Sequence, residues 1–209
     1  MSTTLNVHHN PEPNTYTQLP DPHQDSFSRT ILGFWMYLMT DCLLFGTLFV
    51  TYAVLHNSTF GGPSSRDLFS LQTAFMETMI LLFSSVTCGF AMIAATRSKT
   101  NQAIIWFAVT CLLGASFLTV ELNEFSHLVH EGHSWKQSAF LSSFFTLVGT
   151  HGLHVTFGML WMFVMIGQLY LYGITVETFR RLVIFSMFWH FLDLVWIFIF
   201  TFVYLMGVA

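Results

Sequence analysis

Charge is what this sequence has least of. Seven Lys and Arg and eleven Asp and Glu in 209 residues make 9%, where a soluble chain carries about 25%. So few charges cannot cover the surface of a water-soluble globule of this size. A nucleic-acid binder is excluded as well, because the basic stripe it needs is missing. Proline is absent after Pro63, and four of the five (Pro11, Pro13, Pro20 and Pro22) fall in the first 28 residues. The later helices therefore lack the proline breaks that build midplane sites in many secondary transporters. Cysteine is scarce too: Cys42, Cys88 and Cys111 lie in apolar runs with no C-x-x-C spacing and read as small buried hydrophobes. No internal repeat is evident, and a formal charge of -4 implies neither an acidic nor a basic partner.

What is present is apolar surface. Hydrophobic residues make up 54% of the chain and Phe alone contributes 24, which excludes a disordered protein. Residues 1–28 hold three acids and no Lys or Arg and read as a disordered cytoplasmic tail. They have neither the apolar stretch of a signal peptide nor the Arg-rich character of a mitochondrial presequence. The first apolar segment is expected to act as its own insertion signal. From Ile31 on, runs long enough to cross a bilayer, about 20 residues each, predict an all-α, polytopic bundle. Its five transmembrane spans are expected at about 31–55, 71–96, 102–123, 138–172 and 182–208, forming one domain over residues 29–209. Connections of roughly 5 to 15 residues leave no room for a soluble domain.

Basic residues near a span resist translocation. Arg29, Arg97, Lys99, Arg180 and Arg181 fall on one side of such a bundle, against Arg66 and Lys136 on the other. This bias predicts a cytoplasmic N-terminus and a periplasmic C-terminus.

Four acids lie well inside the spans: Asp41, Glu77, Glu121 and Asp193. Ionised, each costs several kcal/mol in hydrocarbon, less if protonated or paired. His151 and His154 share a face of span four, and His190 and Asp193 a face of span five. In antiparallel neighbours the two pairs sit at similar depth, roughly 18–25 Å from one surface and roughly 12–17 Å from the other. These spacings predict a structural polar cluster near the midplane, with Asp193 accepting a hydrogen bond from a histidine and Asp41 close by.

The histidines could in principle ligate haem. A di-iron carboxylate site, however, needs two Glu-x-x-His motifs and only Glu124–His127 is present. His130-Glu131-Gly132-His133 lacks the H-E-x-x-H zinc spacing. Glu121, Glu124, His127 and His130 form an interfacial polar face at the end of span three. Ser138, Ser142, Thr146 and Thr150, followed by Gly149, Gly152 and Gly158, suit close helix approach with hydroxyl bonds across an interface, as do Ser85 and Gly89 on span two. The Phe and Trp residues are expected to be mostly lipid-facing or interfacial.

Three stretches, GFWMYLMTDCLLF at 33–45, GTHGLHVTFG at 149–158 and FWHFLDLVWIFIF at 188–200, resemble subunit III of the haem-copper terminal oxidases. METMILLFSS at 76–85, the Gly61-Gly62-Pro63 loop and the five-span length bring the resemblance closest to the bacterial cytochrome o ubiquinol oxidase branch, over Ile31 to Ala209. The cytochrome c oxidase versions usually have two further helices at the start.

The resemblance implies an inner-membrane respiratory complex. In it subunit I holds the haems and copper, reduces oxygen and pumps protons, and subunits II and IV complete the assembly. Subunit III then carries no redox cofactor, packs against subunit I, binds phospholipid and supports stability and proton supply. Asp41, Glu77, His151, His154, His190 and Asp193 fall in the motifs as structural, subunit or lipid contacts. No residue is expected to be catalytic or to bind a metal. An autonomous proton or solute transporter and a membrane metalloenzyme are the competing readings.

Overall fold

A computed structural model describes residues 22–56, 71–130 and 138–205, with side chains from Phe27 onward. Five long helices follow one another: α1 Pro22–Leu55, α2 Leu71–Thr96, α3 Thr100–His130, α4 Ala139–Tyr172 and α5 Val176–Ile199, the last continuing into a π-helical turn, Phe200–Leu205. All five are long and apolar enough to cross a membrane. The chain is thus an all-α, five-span membrane bundle.

Two ends differ from the sequence expectation. The first turns of α1 cover residues 22–28, which the sequence assigns to the tail; Pro22 opens the helix, where its missing N–H is no loss. The rest of the tail lies outside the described residues. α3 runs on to His130, past the expected end at 123. Hydropathy marks only the length immersed in hydrocarbon, whereas Glu, Asn and His continue a helix into the polar interface without breaking it.

Two short turns close helical hairpins. After α2, Ser98 adopts φ 56°, so that the Lys99 N–H reaches Ala94 O at 3.0 Å. After α4, Gly173 does the same at φ 66°, its N–H donating to Leu169 O. Both are left-handed stops, a conformation glycine adopts at no steric cost. Capping hydroxyls start the helices that follow the loops: Ser138 Oγ accepts from Leu141 N–H and Thr175 Oγ1 from Thr178 N–H.

α5 is the most enclosed helix. α2 and α4 pack along it, α1 contacts both α4 and α5, and α3 pairs with α2 and α4. Trp189 and Trp196 on α5 are each 1% exposed, so these two tryptophans sit at the bundle centre rather than at the lipid interface. Phe45, Phe107, Phe117, Phe140, Phe144 and Phe185 are buried too. Without a strong hydrophobic drive between helices in lipid, shape-matched packing has to hold a bundle together, and large flat rings do this here. Trp35, by contrast, is half exposed, as an interfacial tryptophan would be. Cys88 and Cys111 are buried as expected, while Cys42 faces outward.

Candidate functional site: three polar contacts inside the bundle

The intramembrane acids and histidines do not converge on one midplane cluster. They fall into three separate contacts. The first joins α1 to α4, with Asp41 Oδ2 lying 3.7 Å from His154 Nε2. That is longer than a hydrogen bond but within ion-pair range. His154 is oriented from behind, since its Nδ1 donates to Thr150 O at 2.8 Å. Tyr37, one turn before Asp41, lies close enough to interact with the same carboxyl group. Phe45, one turn after it, stacks its ring 5.2 Å from that of His154. The histidine that meets an acid is therefore His154, and the acid is Asp41 rather than Asp193.

The second contact is a seam between antiparallel α2 and α5. Trp189 Nε1 donates to Ser84 Oγ at 2.9 Å and Trp196 Nε1 to Thr78 Oγ1 at 3.1 Å. Between these rungs Ser85 Oγ and His190 Nδ1 are bonded at 2.6 Å, with Asp193 in hydrogen-bonding reach of Ser85. Cys88 meets Ser186 one step further along. Ser85, His190 and Asp193 have the composition of a hydrolytic triad but not its order. Among the described residues no hydrogen bond joins Asp193 to His190, so no acid orients the imidazole as a base, and helical backbone N–H groups, already spent in the ladder, cannot form an oxyanion hole. The seam is a set of interhelical hydrogen bonds. Asp, Glu and His drew attention in the sequence; the indole rungs did not. Their signal was present, since Trp189 and Trp196 are seven residues apart on α5 and so share a face, opposite similarly spaced hydroxyls on α2.

The third group is acidic. Glu77 on α2 is fully buried and Glu121 on α3 is 3% exposed, and among the described residues none of their four carboxylate oxygens has a hydrogen-bond partner. Glu124 is close enough to both to add repulsion. Tyr204 of the π-helical turn and Tyr52 of α1 border this region. His151, fully buried, also has both ring nitrogens unpartnered. It behaves as an aromatic, its ring 5.2 Å from Trp196 and 6.1 Å from Phe117.

The α4 stripe divides by residue type. Thr146 Oγ1 donates to Ser142 O within its own helix, so this hydroxyl does not bridge helices. The glycines do the close approach: a Cβ at Gly158 would lie 3.1 Å from Trp189 Cζ3, and one at Gly152 3.2 Å from Glu121 Oε1. Gly89 on α2 faces open space. Among the described residues no three His, Cys, Asp or Glu side chains gather as a metal ligand set. The His130–His133 motif runs outside the described residues.

Comparison with known proteins places these contacts in a family. Residues 22–208 match the family described as cytochrome c oxidase subunit III. The cytochrome bo(3) ubiquinol oxidase subunit 3 of Pseudomonas aeruginosa is 55% identical over 187 residues, 90% of each chain. The quinol oxidase subunit 3 of Bacillus subtilis is 47% identical over 191 residues, 91% of this chain and 94% of its own. A cytochrome c oxidase subunit 3 from Bacillus sp. strain PS3 is 46% identical over 178 residues, 85% of this chain and 86% of its own. A cytochrome c oxidase subunit of similar length thus exists, and five helices alone do not separate the two donor classes. With the fold, the motifs and the matched length in agreement, the chain belongs to the cytochrome c oxidase subunit III family.

Proposed function

We propose that the chain is the non-catalytic subunit III of a bacterial proton-pumping ubiquinol oxidase, a multi-pass protein of the inner membrane. The 55% identity to a ubiquinol oxidase subunit 3 over 90% of both chains carries this reading, and it exceeds the 46% to a cytochrome c oxidase subunit. The partners are oxidase subunits I, II and IV and membrane phospholipid, with the haems and copper held by subunit I. The basic residues place the N-terminus in the cytoplasm. Asp41, Glu77, Glu121, His151, His154, His190 and Asp193 act in helix packing and in contacts to subunits and lipid, supporting complex stability and proton supply. The separation of the acids into three contacts supports a packing role over a continuous path.

Affinity purification of the tagged chain in mild detergent tests the reading. The chain should bring down a larger haem-bearing subunit with ubiquinol oxidase activity, and by itself show no Soret band. A Soret band from the isolated chain, or proton movement into liposomes by that chain alone, would overturn it.

A further inference from the structure

Between α3 and α4, toward the end where α3 hands over to α4, lies a cleft of about 140 Å³. It opens away from the bundle axis, for Leu122 and Leu153 on its rim are 63% and 61% exposed. Along α4 it is lined by Gly149, Gly152 and Thr156, and Glu121 reaches it from α3. A small-residue stripe of this kind lets a foreign backbone come close. The decisive feature is Glu121, since it is almost wholly buried yet neither carboxylate oxygen has a partner among the described residues. Buried polar groups in native assemblies are satisfied, and because Glu121 lines a cleft open to the outside, a donor from another molecule can reach it.

The chemistry of the cleft selects among occupants. An acyl chain would fill the apolar walls but leave Glu121 unpaired. A phospholipid whose headgroup carries an ammonium could pair Glu121, but only by bringing its phosphate into the reach of Glu77, Glu121 and Glu124 as well. A transmembrane helix carrying a hydrogen-bond donor meets both demands, lying along the glycine stripe and pairing the carboxyl group. We propose that the α3–α4 cleft is the docking site for a transmembrane helix of another oxidase subunit, which presents a donor side chain to Glu121. This rests on the subunit III reading above and names the face through which that subunit joins its complex.

The test uses the intact complex. A Cβ at Gly149 would touch only Phe125, at 3.8 Å, and one at Gly167, elsewhere on α4, would touch nothing. Both positions accept a Cβ without a clash in their own chain. Gly149→Leu should lower the amount of this chain copurifying with the haem-bearing subunit about tenfold, the loss expected when one helix contact worth about 1–2 kcal/mol is blocked. Gly167→Leu should leave it unchanged. In parallel, benzoylphenylalanine replacing Leu153 should cross-link, on illumination of membranes, to a helix of another oxidase subunit. The same probe replacing Leu43 on α1 serves as the control position.

Normal copurification of Gly149→Leu overturns the inference, as does capture by the Leu153 probe of phospholipid alone or of nothing. If Gly149→Leu fails to insert, the cross-link decides. A wild-type chain that brings down no haem-bearing subunit would sink the functional reading itself, a result distinct from normal complexes with an unaffected groove.

Discussion

The α2–α5 seam and the Glu77–Glu121 region lie in one bundle and treat buried polarity in opposite ways. Along the seam, indole donors meet hydroxyl acceptors rung by rung, and His190 meets Ser85. Around Glu77 and Glu121 four carboxylate oxygens have no partner among the described residues. In hydrocarbon an unpaired polar group is costly; the seam's indole, hydroxyl and imidazole groups are paired within this chain and leave Asp193 Oδ2 without a partner among the described residues, whereas around Glu77 and Glu121 no carboxylate oxygen is paired. A single subunit of a larger complex should show this division. The indole rungs are satisfied internally, whereas Glu121, which lines the open α3–α4 cleft, is the acid that the proposed docking would complete.

The sharpest way to break the seam is Trp189→Ala. It removes a ring packed against Gly114, Gly158 and Phe185 and should destabilise the chain by about 3–5 kcal/mol, read as earlier loss of structure in a sodium dodecyl sulfate titration of the detergent-purified chain. Packing dominates that figure, since an interhelical hydrogen bond contributes only about 0.6 kcal/mol on average. Gly158→Ala attacks the same centre by overfilling. With Trp189 and Phe188 carbons at 3.1 and 3.2 Å from the new methyl, and both rings hemmed in, the cost should be about 1–3 kcal/mol in the same titration.

Removing a rung without removing a ring isolates the polar part of the comparison. Ser84→Ala should cost about 0.6–1.7 kcal/mol, and the change in Trp189 fluorescence on losing its indole partner would check that the bond, not the packing, was cut. Glu121→Gln should be close to neutral for the detergent-purified chain, because no bond within the chain is lost. A destabilisation as large as that of Ser84→Ala would show that Glu121 has an internal partner and erase the contrast between the two regions.

The five helices and their order were legible because hydropathy over a span-length window is a strong signal. Which polar residues meet was not. Asp41 and His154 sit in different spans, and depth counted along a helix gives height without rotation. His190 and Asp193 were matched with the correct face but the wrong partner, since Ser85 stands opposite them on α2. Trp189 and Trp196 were read as interfacial because tryptophan favours that zone. Their burial follows from Gly114 and Gly158 making room for one ring and from Thr78 and Ser84 satisfying both indoles. This is a relation among four helices that no local window contains.

The most enclosed helix of this bundle is also the last one in the sequence. A ribosome delivers α1 to α4 before the segment that fills their centre exists. Until α5 arrives, Ser84 and Thr78 of α2 and the flat glycine surface of Gly158 on α4 have nothing to close on. The nascent bundle is therefore a half-built ring waiting for its axle. Premature termination anywhere before Val176 would leave an assembly with exposed polar faces in the membrane, open to the proteases that clear unfinished membrane proteins.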